Sequence, residues 1–192
     1  MIRRNPNGDY PKIDKTAYID PSAVIIGKVS IGKNVFVAPG AIIRADETGS
    51  SVSIGDSSNI QDRVIIHALG NSSVIIGKNT SLSHGCIVHG PCKIGKGCFI
   101  GFGSVVFKAV IKDNVFIKSL AVIEGVKIPN KKFIPNGAII SLPRMVESLQ
   151  SISKEEIVFA NKVVRANLRL VKGYRLENRG LASDSQSHKK EG

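Results

Sequence analysis

A hydrophobic repeat of period six runs through most of this chain, and few folds accept it. Aliphatic residues stand at the first position of each unit: Ile19, Ile25 or Ile26, Ile31, Val37 and Ile43, then Ile54, Ile60, Ile66, Ile76, Leu82, Val88, Ile94, Ile100 and Val106, then Ile111, Ile117, Ile123, Ile128, Ile134 and Ile140. A small residue follows at the fifth place, as in Ile31-Gly32-Lys33-Asn34-Val35 and Ile94-Gly95-Lys96-Gly97-Cys98. No helical period fits this spacing, and a fixed short period marks a solenoid. Each unit reads as one short strand and one corner, with glycine easing the corners. The composition agrees: 42% of residues are hydrophobic but only 5% aromatic, with no Trp, so the interior must be built from Ile, Val and small side chains. Cys86, Cys92 and Cys98 fall at the small inward position, where they read as core residues, not as a disulfide framework or metal ligands.

The pattern resembles that of the hexapeptide-repeat proteins. The resemblance implies an all-β fold, a left-handed parallel β-helix in which three units make one triangular coil of about eighteen residues. Two insertions break the register. Ile43 to Ile54 is eleven residues and Ile66 to Ile76 is ten, five and four more than one unit. Counting sides of the prism instead of residues places Ile43, Ile66 and Val88 on one face, one coil apart. Arg44, His67 and His89, each following its aliphatic, then stack on that face at the strand spacing of about 4.8 Å. Imidazoles stacked in this way can share one metal ion. His84 follows Leu82 on another face, together with Gln61 and Asp62, so a neighbouring subunit must supply it. The spacing thus predicts a metal site shared between chains, most simply in a closed ring of three, flanked by both insertions.

The stretches Arg44-Ala45-Asp46-Glu47, Asn59-Ile60-Gln61-Asp62, His67-Ala68-Leu69, Leu82-Ser83-His84 and Val88-His89-Gly90-Pro91 resemble those of the γ-class carbonic anhydrases. The likeness covers most of the chain, from about residue 13 to Tyr174. It implies a homotrimer that interconverts CO2 and bicarbonate, with Zn2+, or Fe2+ or Co2+, held by His67 and His89 of one subunit and His84 of the next. It also implies that Arg44 and Asp62 pair across the interface, with Asp46 beside them. Glu47, Gln61, Asn59 and Asn167 would line the pocket, Glu47 as base or proton shuttle and Gln61 as the group that orients solvent or substrate. One departure stands out. Active members carry a longer acidic loop after the first histidine, whereas Ala68-Leu69-Gly70-Asn71-Ser72-Ser73 is short and has no carboxylate. A weakly active or non-catalytic metal-binding relative is therefore an alternative, and so is a hexapeptide acyltransferase using acyl-CoA and a single histidine, because one fold hosts all of these.

The β-helix is expected over residues 1–142 and a C-terminal helical segment over 143–175. Ser153-Lys154-Glu155-Glu156 reads as a capping box, opening a helix to about Gly173 that packs through Ile157, Val163, Val164, Leu168 and Val171. Residues 176–192, which include His188, read as a disordered basic tail without a role in the site. The net charge of +12 is scattered. With no aromatic-interleaved basic stripe it suggests a solvated surface and not a nucleic-acid partner. No stretch approaches the roughly 20 apolar residues of a membrane span, and no apolar leader follows the first charges, so a cytoplasmic location is expected.

Overall fold

An aliphatic that must point inward once every six residues needs only a short extended segment around it, and the rest of the unit is left to turn the corner. The computed structural model, which describes residues 1–187, strings together twenty-two strands of two to four residues. They sort into one eight-stranded and two seven-stranded sheets, all parallel, with every third strand returning to the same sheet. The result is a parallel β-helix of about seven coils. Ile43, Ile60, Ile66, Leu82, Ile100, Ile117 and Ile123 are all fully buried along its axis. Ile25, not Ile26, faces inward, opposite Ile43, while Ile26 pairs with Arg44 on the outside. The helix begins earlier than the repeat suggests, with strands at Ile2–Arg3 and Lys12–Ile13.

Glycine takes the left-handed turns at two corners as expected, Gly40, Gly85, Gly103 and Gly137 at one and Gly27 and Gly125 at another, but the third corner differs. There the left-handed position is held by Asn34, Ser57, Asn79, Asn114 and Lys131 in five coils and by Gly97 in a sixth. Asparagine tolerates that conformation, which explains its place in the repeat. The glycine at the second place answers a different need, close approach between coils. A Cβ on Gly77 would lie 2.5 Å from the carbonyl carbon of Gly95 in the next coil.

The three outer faces differ, and the difference positions the site. One seven-stranded sheet shows a mostly polar row that includes Lys12, Ser30, Ser53 and Lys93. The other shows Tyr18, Phe36, Asn59, Ser81, Phe99, Phe116 and Phe133 in register. The eight-stranded sheet carries two rows. An unbroken aliphatic row runs from Val24 through Ile42, Ile65, Ile87, Val105 and Val122 to Ile139, which is 63% exposed. Beside it run Arg44, His67, His89, Phe107 and Glu124.

After the last coil a short helix, α1 (Pro143–Glu147), precedes α2 (Lys154–Ser187). The capping box forms: Ser153 N–H donates to Glu156 Oε2 at 2.9 Å, and Glu156 N–H to Ser153 Oγ at 3.3 Å. The helix lies back along the aromatic face and matches it end to end. Tyr174 stacks on Tyr18 at 4.7 Å, Asn167 meets Gln61, and Phe159 packs edge-on against Phe99 at 5.4 Å. The eight residues from Phe159 to Asn167 rise about 12 Å, close to the two coils that separate Phe99 from Asn59. Val164 and Val171 are buried as expected, Val163 and Leu168 partly so, but Ile157 remains 41% exposed. The expected stop at Gly173 is also corrected. The helix continues to Ser187, so the backbone of residues 176–187 is helical where their polarity reads as a disordered tail. His188 and the end of the expected tail lie outside the described residues.

Replacing fully buried Ile66 by Ala should lower stability by about 2–5 kcal/mol, whereas Ile75→Ala on the polar sheet, 40% exposed, should change it by less than ~1 kcal/mol. Thermal denaturation of the two variants checks the register, since a slip of one residue would reverse the order.

Candidate metal centre

Coil-to-coil pairing sets His67 opposite Arg44 on one side and His89 on the other, as the count of sides predicts. Fully buried Ile66 and Val88 hold the two strands, so the two imidazoles project side by side from one face. His67 Nδ1 lies 3.1 Å from His89 Nε2, with the rings at 75°. That separation is near the about 3.3 Å between two nitrogens on one tetrahedral zinc with bonds of 2.0–2.1 Å. Burial first, then the Arg44 guanidinium and His89, push the His67 pKa down, which favours the neutral form that binds metal. Phe107 closes the row edge-on to His89 at 5.4 Å.

The protons around His67 follow from what its partners can do. Arg44 Nη2 stands 3.2 Å from His67 Nε2 and can only donate, so Nε2 accepts and Nδ1–H donates to His89 Nε2. The remaining proton of His89 then sits on Nδ1, which is buried without a partner. His67 Nε2 also lies 3.4 Å from both Asp46 Oδ1 and Glu47 Oε1. The tautomer protonated on Nε2 would face these carboxylates and leave two facing lone pairs, on His67 Nδ1 and His89 Nε2. A histidine that donates its far N–H to a carboxylate is the usual arrangement of a metal ligand. This donor set fits a divalent cation.

His84 is built the same way on another face. Its Nδ1 lies 2.6 Å from Asp62 Oδ2 and its ring stacks on Phe102 at 5.6 Å. Nδ1–H thus donates to the carboxylate, and Nε2 is left free on a side chain 54% exposed. Next to it, Gln61 Nε2 donates to Asn59 Oδ1 and Asn167 Oδ1, both at 2.8 Å. Asn59 Nδ2 in turn donates to Ser81 Oγ at 2.7 Å, and Asn167 Nδ2 to the Val163 carbonyl at 3.0 Å. The amide orientations are therefore mutually consistent. Both Gln61 hydrogens are committed, and its carbonyl oxygen is the group left to meet a ligand.

The named residues fall into two groups on two faces. Arg44, Asp46, Glu47, His67 and His89 form one; Asn59, Gln61, Asp62, His84 and Asn167 form the other. Among the described residues of one chain no three His, Cys, Asp or Glu side chains are arranged to hold a metal ion. Within a protomer Arg44 pairs with Asp46 at 3.3 Å and Asp62 pairs with His84. The cysteines take no part: all three are free and buried, and burial pushes Cys86 and Cys98 up to about 12. Sequence reasoning missed Ser81, Phe102 and Phe107. Phe102 and Phe107 carry a signal, standing eighteen residues, one plain coil, after His84 and His89.

The insertions flank the first group and nest on each other. Asn71 N–H donates to the Thr48 carbonyl at 2.9 Å, and Gly70 N–H to Glu47 Oε2 at 2.6 Å. Gly49 turns with φ +70°, where a Cβ would lie 2.4 Å from Asn71 Oδ1.

A family model described as bacterial transferase hexapeptide (six repeats) matches residues 10–45 and 73–108. The unmatched stretch between them is the one that holds both insertions. A carbonic anhydrase of Methanosarcina thermophila is 36% identical over 193 aligned residues, covering 89% of this chain and 77% of that protein. The carboxysome assembly protein CcmM of a Nostoc species is 38% identical over 173 residues, but the chain spans only 31% of that protein's length. A crystal structure of a hexapeptide transferase family protein from Anaplasma phagocytophilum superposes with a TM-score of 0.78 at 28% identity, covering 91% of this chain and 98% of that one.

Asn167→Ala removes an acceptor from Gln61 and is expected to destabilise the protein by about 1–3 kcal/mol. Because the two residues share one network, Gln61→Ala combined with Asn167→Ala should cost less than the two single losses added, as read by denaturation of the three variants.

Proposed function

The chain belongs to the γ-class carbonic anhydrase family of hexapeptide-repeat proteins, and from that premise we propose that it is a metal-dependent hydratase interconverting CO2 and bicarbonate. It acts as a homotrimer whose metal sites lie between subunits. The observation that carries this reading is the division of the ligands: His67 and His89 face one way and His84 another, with His67 and His84 each beside a carboxylate. Contact between two different faces is heterologous, and it ends only by closing a ring. The aliphatic row beside the histidines supports the same assembly, because an exposed apolar strip of that length marks a contact surface.

In the assembled site His67 Nδ1, His89 Nε2 and the partner's copy of His84 would hold Zn2+, or Fe2+ or Co2+, all of which accept imidazole nitrogen. A bound divalent ion supplies Lewis acidity that brings the pKa of water to about 7, a value for which carbonic anhydrase itself is the reference case. The chain's own residues do the rest. Asp46 and Glu47 would accept a hydrogen bond from the far N–H of His67, and Asp62 fixes the tautomer of His84. Gln61, locked by Asn59 and Asn167, offers an acceptor oxygen that orients solvent or substrate. Glu47, 44% exposed on its side chain, is the carboxylate placed to move a proton between the site and bulk water. Three free thiols suit a reducing, cytoplasmic setting.

A second reading rests on the same loop that departs from active relatives. With no carboxylate from Ala68 to Ser73, and with likeness to an assembly protein, the chain would hold metal without fast hydration. Full metal occupancy without hydration under any metal selects it. The likeness to a transferase family structure supports a third, acyl-CoA-dependent reading, which saturable CoA binding by metal-free protein would select.

Mixing variants tests the shared site. His84→Ala protein, and protein carrying both His67→Ala and His89→Ala, should each lack bound metal and activity. Refolded together in equal amounts as random trimers, they should recover metal at about one quarter of the interfaces, measured by metal analysis and CO2 hydration. No recovery overturns the shared site.

A further inference from the structure

The short loop after His67 lacks an acidic side chain of its own, yet it takes hold of one from the first insertion. We propose that Gly70 is a positioning residue: its backbone N–H tethers the Glu47 carboxylate beside His67, so that the second insertion sets where the first insertion's carboxylate stands. The inference rests on the hydratase reading and deepens it.

Three observations support it. Gly70 N–H donates to Glu47 Oε2 at 2.6 Å, a short charge-assisted bond, while Oε1 of the same carboxylate lies 3.4 Å from His67 Nε2. Glu47 is 44% exposed on its side chain, so without a tether its rotamers would spread into solvent. The tether has a rigid anchor, because Asn71 N–H donates to the Thr48 carbonyl at 2.9 Å and Ser50 Oγ–H to the Glu47 carbonyl at 2.7 Å. Glycine at position 70 matters for space, not for backbone freedom. A Cβ there would stand 3.2 Å from Glu47 Oε2 and 3.5 Å from the Thr48 carbonyl oxygen, while the backbone conformation is one that alanine also adopts. Gly70→Ala therefore pushes on the carboxylate and leaves its charge intact.

The test combines a structural readout with a double-mutant cycle on the full-length trimer. Exchange of the Gly70 amide with solvent, followed by NMR, should be slow in the wild type and should accelerate in Glu47→Ala, with metal present or absent. With metal loaded, Gly70→Ala should lower kcat by on the order of 10- to 100-fold, with metal content unchanged because Glu47 is not a ligand. Glu47→Gln keeps an acceptor for the amide but no charge, and in that background Gly70→Ala should add nothing further. An equal loss in both backgrounds, or a Gly70 amide indifferent to Glu47→Ala, overturns the proposal. A wild-type protein inactive with every metal overturns the hydratase reading and the role of Gly70 within it, while the amide exchange still reports whether the tether exists.

Discussion

Everything in this molecule depends on the backbone hydrogen bonding between successive coils. It fixes neighbouring strands at about 4.8 Å and pairs them residue for residue, so that Ile66 lies between Ile43 and Val88 without slippage. The inward aliphatics stabilise the prism, but they do so only because the register returns each of them to the axis. A shift of one residue would turn every inward side chain out. The outer rows obey the same constraint. A histidine one place after an inward residue meets, one coil on, whatever stands one place after the next, and this brings His67 and His89 together across 22 residues of chain.

The insertions show how the solenoid accommodates function without losing that constraint. Five and four extra residues leave the prism at the same corner, and the strands on either side resume pairing as if nothing had intervened: Ser51–Ile54 lies against Ser73–Ile76 in full register. What the insertions add is a layer outside the prism. They bring Glu47 over the histidine row and stack upon each other through Thr48 and Asn71. Loops that carry chemistry on a rigid repeat are free to vary because the repeat does not depend on them.

Much of this was legible in the sequence, for one reason: a period that admits a single three-sided geometry turns linear spacing into position. Counting sides past the insertions placed Arg44, His67 and His89 on one face and His84 on another before any coordinates. The residues that escaped were those whose meaning depends on the outside of the prism. Phe99 and Phe116, each one place before an inward aliphatic, take Phe159, and Tyr18 and Phe36 take Tyr174, but nothing in the repeat says which face a helix will cover. Asparagine at the corners was likewise hidden, because composition assigns left-handed turns to glycine while Asn34, Asn79 and Asn114 take them here. The helix beyond Gly173 is not legible in the same way, because a polar stretch without an apolar periodicity carries no pattern that separates helix from coil.

In the proposed shared site, the division of the ligands between two faces would also let a protomer exist before its partners arrive. A free protomer must keep polar and charged groups satisfied on surfaces that assembly will cover, since an unpaired group shut away from water is costly. Each half meets this demand internally. Arg44, Asp46, His67 and His89 form one chain of contacts, His84 and Asp62 a pair, and Gln61, Asn59 and Asn167 a closed network. The exception is His89 Nδ1, a buried atom with no partner. It sits on the histidine whose opposite nitrogen faces His67, so the one such deficit among the described residues falls inside the half that, in the proposed site, would take a cation and a third imidazole. Assembly then has little to repair and one thing to complete, which is the condition for a site that forms between chains without compromising the chains themselves.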